Sequence, residues 1–139
     1  MKIEILKNIA VRVPRRMINK LAAQIGRGEN NSKALVNIIF VNDIAIKKLN
    51  AKYRHINKST DVLSFNIDSA PGKDAILGEI YISVEMAARY AAEDGLKFNY
   101  EILKLCCHGL LHLLGYDHMK PGEAARMESK EKYYLSKVR

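Results

Sequence analysis

The chain has 139 residues, 48% of them hydrophobic and 27% charged, which suits one soluble globular domain over 1–139 and leaves no room for two of ordinary size. Lys and Arg outnumber Asp and Glu by 23 to 15; the resulting net charge of +8 favours an anionic partner, most simply nucleic acid, with an inert basic surface as the plain alternative. No apolar run approaches the roughly 18 residues of a membrane span, and the N-terminus lacks the pattern of a signal peptide, so a cytoplasmic protein with no membrane partner is expected.

Lys2 to Leu6 alternates polar and apolar residues, as a half-buried strand does. Pro14 suits the start of a helix whose buried face would be Ile18, Leu21, Ala22 and Ile25, with Gly26 and Gly28 ending it. Ala34 to Val41 is dense in β-branched and aromatic residues and reads as a central strand. Asn42 can cap a short helix that carries Ile46, Leu49 and Tyr53 toward the core, and a polar loop runs from Arg54 to Thr60. Asp61 to Ile67 and Leu77 to Ser83 read as two strands joined by a short loop at Ala70 to Asp74, which permits antiparallel pairing. Ser83 starts a helix through Glu93 that Gly95 stops; another covers Tyr100 to Leu114 and stops at Gly115; Pro121 opens a last, Lys-rich helix. The order β-α-β-α-β-β-α-α-α indicates an α+β fold, a mixed layer of about four strands with helices packed on it.

The segment His108-Gly109-Leu110-Leu111-His112-Leu113-Leu114-Gly115-Tyr116-Asp117-His118 carries three of the four histidines. Residues four apart share a helix face, so His108 and His112 can aim two imidazoles at one ion. Gly115 can take a left-handed conformation that turns the chain and returns His118 as a third ligand. Three protein ligands leave a fourth position open, as in catalytic zinc centres. A divalent ion, zinc or another transition metal, is expected at the C-terminal end of this helix. The spacing is that of a metzincin site, except that Gly109 stands where a protease carries its glutamate base. A mid-helix glycine costs about 1 kcal/mol relative to alanine, so close backbone packing or room for substrate should offset it. A bound divalent ion lowers the pKa of water from about 15.7 to about 7 without a neighbouring base, and a phosphodiester then needs positive charge, which Arg54 can supply.

The only cysteines, Cys106 and Cys107, are vicinal and read as reduced core residues, turned roughly 200° and 100° respectively around the helix from the ligand face. His55 is isolated, with a surface position expected. Asp61 and Asp117 are candidates to orient Arg54 or to accept a histidine N–H beyond the metal, with a role in a turn or at the start of a strand as the alternative.

Four blocks together resemble the YbeY family: Leu49-Asn50-Ala51-Lys52-Tyr53-Arg54, Thr60-Asp61-Val62-Leu63-Ser64-Phe65, Leu77-Gly78-Glu79-Ile80 and the histidine segment. They span about half the chain. The glycine after the first histidine belongs to that family's pattern, whereas Ser59 and Asn66 stand where proline is common and Glu79 where aspartate is frequent. The resemblance implies a single-strand-active, metal-dependent endoribonuclease that matures ribosomal RNA, notably the 3′ end of the small-subunit RNA, and serves ribosome quality control. It implies zinc or another divalent ion on His108, His112 and His118, with Arg54 near the substrate phosphate. The small ribosomal subunit is the implied partner, and a ribosomal protein or an assembly GTPase a further candidate. Two other readings stay open: a metallohydrolase of another substrate class, and a non-catalytic RNA-binding assembly factor.

Overall fold

The computed structural model describes residues 1–67 and 76–138. The elements run β1 (Lys2–Lys7), α1 (Arg15–Gly28), β2 (Leu35–Val41), α2 (Asp43–Arg54), β3 (Val62–Asn66), β4 (Ile76–Ser83), α3 (Val84–Asp94), α4 (Phe98–Leu113) and α5 (Pro121–Ser136). This is the order expected from the sequence, and the fold is α+β. The Ala70 to Asp74 loop lies outside the described residues.

Among the described residues the sheet has four strands in the order β1-β2-β4-β3. β1 and β4 flank β2 in parallel, and β3 closes the edge antiparallel to β4. β2 is inner and its last four residues are all buried, as expected of a strand covered on both faces. Val36, Ile38 and Phe40 of β2, with Ile80 and Ile82 of β4, face the main core beneath α1, α3, α4 and α5. The opposite face carries Ile39, Val41 and Tyr81 under α2, whose Ile46 completes a smaller cluster. The single-helix layer on that face did not follow from periodicity, because it depends on strand order.

Local signals explain most boundaries. Ile18, Leu21, Ala22 and Ile25 are all fully buried, on the face expected of α1. Gly26 does not end that helix: it lies inside, so close to the N-terminus that a Cβ would stand 2.9 Å from the Met1 nitrogen. Gly28 is the last helical residue, and Tyr134 leaves no space for a side chain there. Asn42 and Ser83 cap α2 and α3 by accepting from the backbone N–H of Ala45 and Met86. Gly95 ends α3 at φ 65°.

Tyr53 departs from expectation. It is 54% exposed, and the buried residue on α2 beside Ile46 is Asn50, whose amide donates to the Lys58 carbonyl at 3.0 Å. Tyr53 is the last residue but one of α2, where the helix passes over Phe65 of the β3 edge, so helical spacing alone mistook an overhang for core.

Candidate metal centre

The site forms where α2 and α4 grip the β3 edge from opposite faces of the sheet. Two glycines let α4 settle onto the strands. A Cβ at Gly109 would meet Cδ1 and Cγ2 of Ile80 at 2.9 Å and Oγ of Ser64 at 3.1 Å. At Gly78 it would meet the Leu113 side chain at 2.6 Å and the Phe65 carbonyl at 2.5 Å. Asn66 adds a side-chain bond to the Leu113 carbonyl at 2.9 Å, satisfying an acceptor at the open end of α4. The glycine at 109 is therefore explained by close packing against Ile80 of β4 and Ser64 of β3.

With α4 so placed, His108, His112 and His118 line one cleft of about 450 Å³ together with Arg54, Ser64 and Thr60. His118 arrives by the turn at Gly115, whose φ is 104° and whose N–H donates to the His112 carbonyl at 3.0 Å. The ring centre of His118 lies 5.2 Å from that of His108 and 6.0 Å from that of His112. Around one ion, with metal–nitrogen bonds of about 2.0 Å and tetrahedral angles, imidazole centres stand about 5 Å apart. Among the described residues no three His, Cys, Asp or Glu side chains already meet the spacing of a metal cluster, so these rings need a small rotation to converge. The χ2 torsion of histidine is soft enough to allow it.

The donor set fits a divalent metal in two further respects. Nδ1 of His108 lies 3.0 Å from Oε1 of Glu131 on α5, the arrangement in which Nδ1–H donates to a carboxylate and leaves the Nε2 lone pair for an ion. His112 titrates below the ordinary histidine range, through burial first and then through repulsion from His108, His118 and Arg54. A neutral imidazole is the form that ligates. The Tyr116 backbone opposes that shift, yet among the described residues Nδ1 of His112 makes no aligned hydrogen bond and is buried without a partner.

Arg54 is the last residue of α2 and reaches across the edge of β3. Its Nη2 donates to the Ser64 carbonyl at 2.8 Å, and its guanidinium carbon lies 5.1 Å from the Phe65 ring centre. Asp61 and Asp117, candidates either to orient these groups or to serve in a strand entry or turn, make short-range bonds. Asp61 accepts from the Val62 N–H at 2.8 Å and from the Thr60 hydroxyl, and Asp117 accepts from the Met119 N–H at 2.8 Å. Both fill their own short-range bonds, as Asp does at the start of a strand or in a turn. His55 sits just past α2 at φ 59° and is exposed, outside the cleft. Cys106 and Cys107 are fully buried; burial pushes the Cys106 thiol up to about 12 and raises Cys107 too, so neither is a thiolate ligand at neutral pH.

Glu131 was not singled out in the sequence, although a signal existed. It lies on α5 between the buried Met127 and the buried Tyr134 and Leu135, so a carboxylate occupies the apolar face of the helix. Glu131→Ala should weaken zinc affinity about 10- to 100-fold without changing helix content. Competition with a chromophoric chelator checks this, and unchanged affinity would contradict the role. A second carboxylate, Glu29, accepts from the hydroxyls of Tyr116 and Tyr134 and so fastens the chain beside His118 to α1 and α5.

A profile of the family described as Endoribonuclease YbeY matches residues 3–139. The chain belongs to the YbeY family. It is 46% identical over 111 residues to the Endoribonuclease YbeY of Desulforamulus reducens, covering 76% of this chain and 72% of that one. The Moorella thermoacetica protein of the same name is 43% identical over 115 residues, covering 76% and 74%. The Anaeromyxobacter dehalogenans one is 43% identical over 109 residues, covering 78% of this chain and 54% of its own length. The chain thus spans about half of that relative. The solution structure of the Thermotoga maritima protein TM1509 is similar across 98% of this chain and 88% of its own, with a TM-score of 0.69 at 30% identity. Among the described residues no helix is long and apolar enough to cross a membrane.

Proposed function

We propose that this chain is a metal-dependent endoribonuclease that cuts single-stranded RNA during ribosomal RNA maturation, at the 3′ end of the small-subunit RNA, and serves ribosome quality control. The relatives' shared name supports the activity. The observation that carries it is a cleft holding three imidazoles and one arginine while, among the described residues, no carboxylate lines it. Such a surface welcomes an anion, and with a net charge of +8 on the chain a phosphodiester backbone is the fitting substrate. The small ribosomal subunit would present that RNA in the cell, with a ribosomal protein or an assembly GTPase as a further partner, and the cytoplasm is the matching compartment.

In this reading His108, His112 and His118 hold zinc or another divalent ion. When bound, the ion supplies Lewis acidity and an activated water. The remaining work belongs to the chain. Glu131 fixes the ring of His108, and burial keeps His112 neutral and able to donate its lone pair. Arg54, aimed by the Ser64 carbonyl and backed by Phe65, presents its other N–H groups to a phosphoryl oxygen as negative charge grows there. A peptidase reading loses support because Gly109 carries no carboxylate base and a Cβ there would already crowd Ile80 and Ser64.

Arg54→Glu should retain one metal per chain and lose cleavage of a single-stranded RNA by at least about 10²- to 10³-fold. Elemental analysis and a gel assay on the same preparation check both halves. Undiminished cleavage would remove Arg54 from the mechanism.

A further inference from the structure

The face of the sheet beneath α2 carries an aromatic series that the proposed chemistry does not use. Tyr81 of β4 meets Phe65 of β3 edge-on with ring centres 6.0 Å apart, and Phe65 meets Tyr53 of α2 at 5.3 Å. Exposure rises along the series: Tyr81 and Phe65 are half-buried, while Tyr53 is exposed. Arg54 joins the series to the cleft, since its guanidinium lies over Phe65 while the same side chain lines the histidine pocket. Ile56, 49% exposed, also lines that pocket and extends the apolar rim past Arg54.

We propose that Tyr53 is a stacking platform for an unpaired base of single-stranded RNA, next to the phosphate that Arg54 receives. The inference rests on the RNA-cleaving reading above and adds a residue that selects for unpaired strands. A half-open tyrosine ring beside a phosphate-binding arginine is the pairing by which single-stranded nucleic acid is held without sequence readout. Duplex RNA keeps its bases stacked on one another and cannot offer a face to Tyr53.

Charge around the ring fits the same occupant. Lys47, Lys48, Lys52, Arg54 and Lys58 lie on α2 and the loop after it, against two acids: Asp43, which is already engaged by Ser83 and Arg89, and Asp61, which accepts from the Val62 N–H. Lys52 Nζ rests 5.1 Å from the Tyr53 ring centre. An exposed cation–π contact of that kind is weaker than base stacking, so an incoming base displaces the ammonium. Lys52 is then free to pair with the phosphate of the base that displaced it.

The chain contains no tryptophan, so Tyr53→Trp creates a single indole reporter at the platform. Its fluorescence should be quenched by an unstructured RNA oligonucleotide and not by a duplex of the same length. Tyr53→Ala, at an exposed site, should weaken binding of that oligonucleotide about 5- to 100-fold, leave duplex binding and metal content unchanged, and be rescued by Tyr53→Phe. If Tyr53→Ala binds the single strand as tightly as the parent chain, or the indole is not quenched on binding, the platform is overturned while the nuclease reading stands. A parent chain that binds no single-stranded RNA at all overturns both.

Discussion

Gly109→Glu is expected to prevent the chain from reaching its native state. A Cβ at this position already stands 2.9 Å from two carbons of Ile80 and 3.1 Å from Ser64 Oγ, and Ile80 is itself fully buried. Alanine there gains about 1 kcal/mol of helix propensity and loses about 1–3 kcal/mol to overpacking, so Gly109→Ala should be mildly destabilised. Glutamate adds a carboxylate to an apolar contact between α4 and β4, where burying an unpaired charge costs several kcal/mol more. Thermal unfolding by circular dichroism checks both variants. A folded Gly109→Glu protein with unchanged Tm would show that α4 does not rest on the sheet at this point. Restoring the glutamate of a metalloprotease thus removes the fold and creates no peptidase.

His112→Ala should leave the fold intact and empty the metal site. His112 is the middle one of the three proposed ligands, partly buried on α4 ahead of the Gly115 turn, and its Nδ1 has no aligned partner among the described residues. Removing the ring takes away a costly unsatisfied group, which offsets part of the cavity it leaves. Two histidines alone do not retain zinc through dialysis against a chelator at the level of a three-histidine site. The expected result is a fall from one zinc per chain to a trace, with near-unchanged thermal stability of the metal-free forms and RNA cleavage down by at least about 10³-fold. A variant that keeps stoichiometric zinc would displace the ion from these histidines.

All nine elements were legible in the sequence, because each carries its own punctuation: Asn42 and Ser83 as caps, Gly95 and Gly115 as stops, Pro121 as a start. The histidine segment was legible for a related reason, since i, i+4 spacing and one glycine turn are local geometry. What failed was non-local. The strand order β1-β2-β4-β3 places α2 alone on one face, and from that follow the exposure of Tyr53 and the reach of Arg54 to Ser64. Asp61 and Asp117 stood near the motifs in sequence, yet their carboxylates are taken by backbone N–H groups one and two residues on. The group that orients His108 is Glu131, 23 residues further along and brought in by the packing of α5 on α4. Proximity in the chain singled out Asp61 and Asp117, whereas the carboxylate beside His108 was marked only by a charge on the buried face of α5.

The most direct test of the account is the rate at which the protein cleaves a single-stranded RNA from the 3′ end of a small-subunit ribosomal precursor, before and after zinc is returned to a chelator-stripped sample. The account predicts no cleavage by the stripped protein, recovery at one equivalent of zinc, and no recovery in an identically purified His112→Ala preparation. Equal cleavage by stripped and reloaded protein, or by the parent chain and the variant, would contradict a metal-dependent nuclease built on these three histidines.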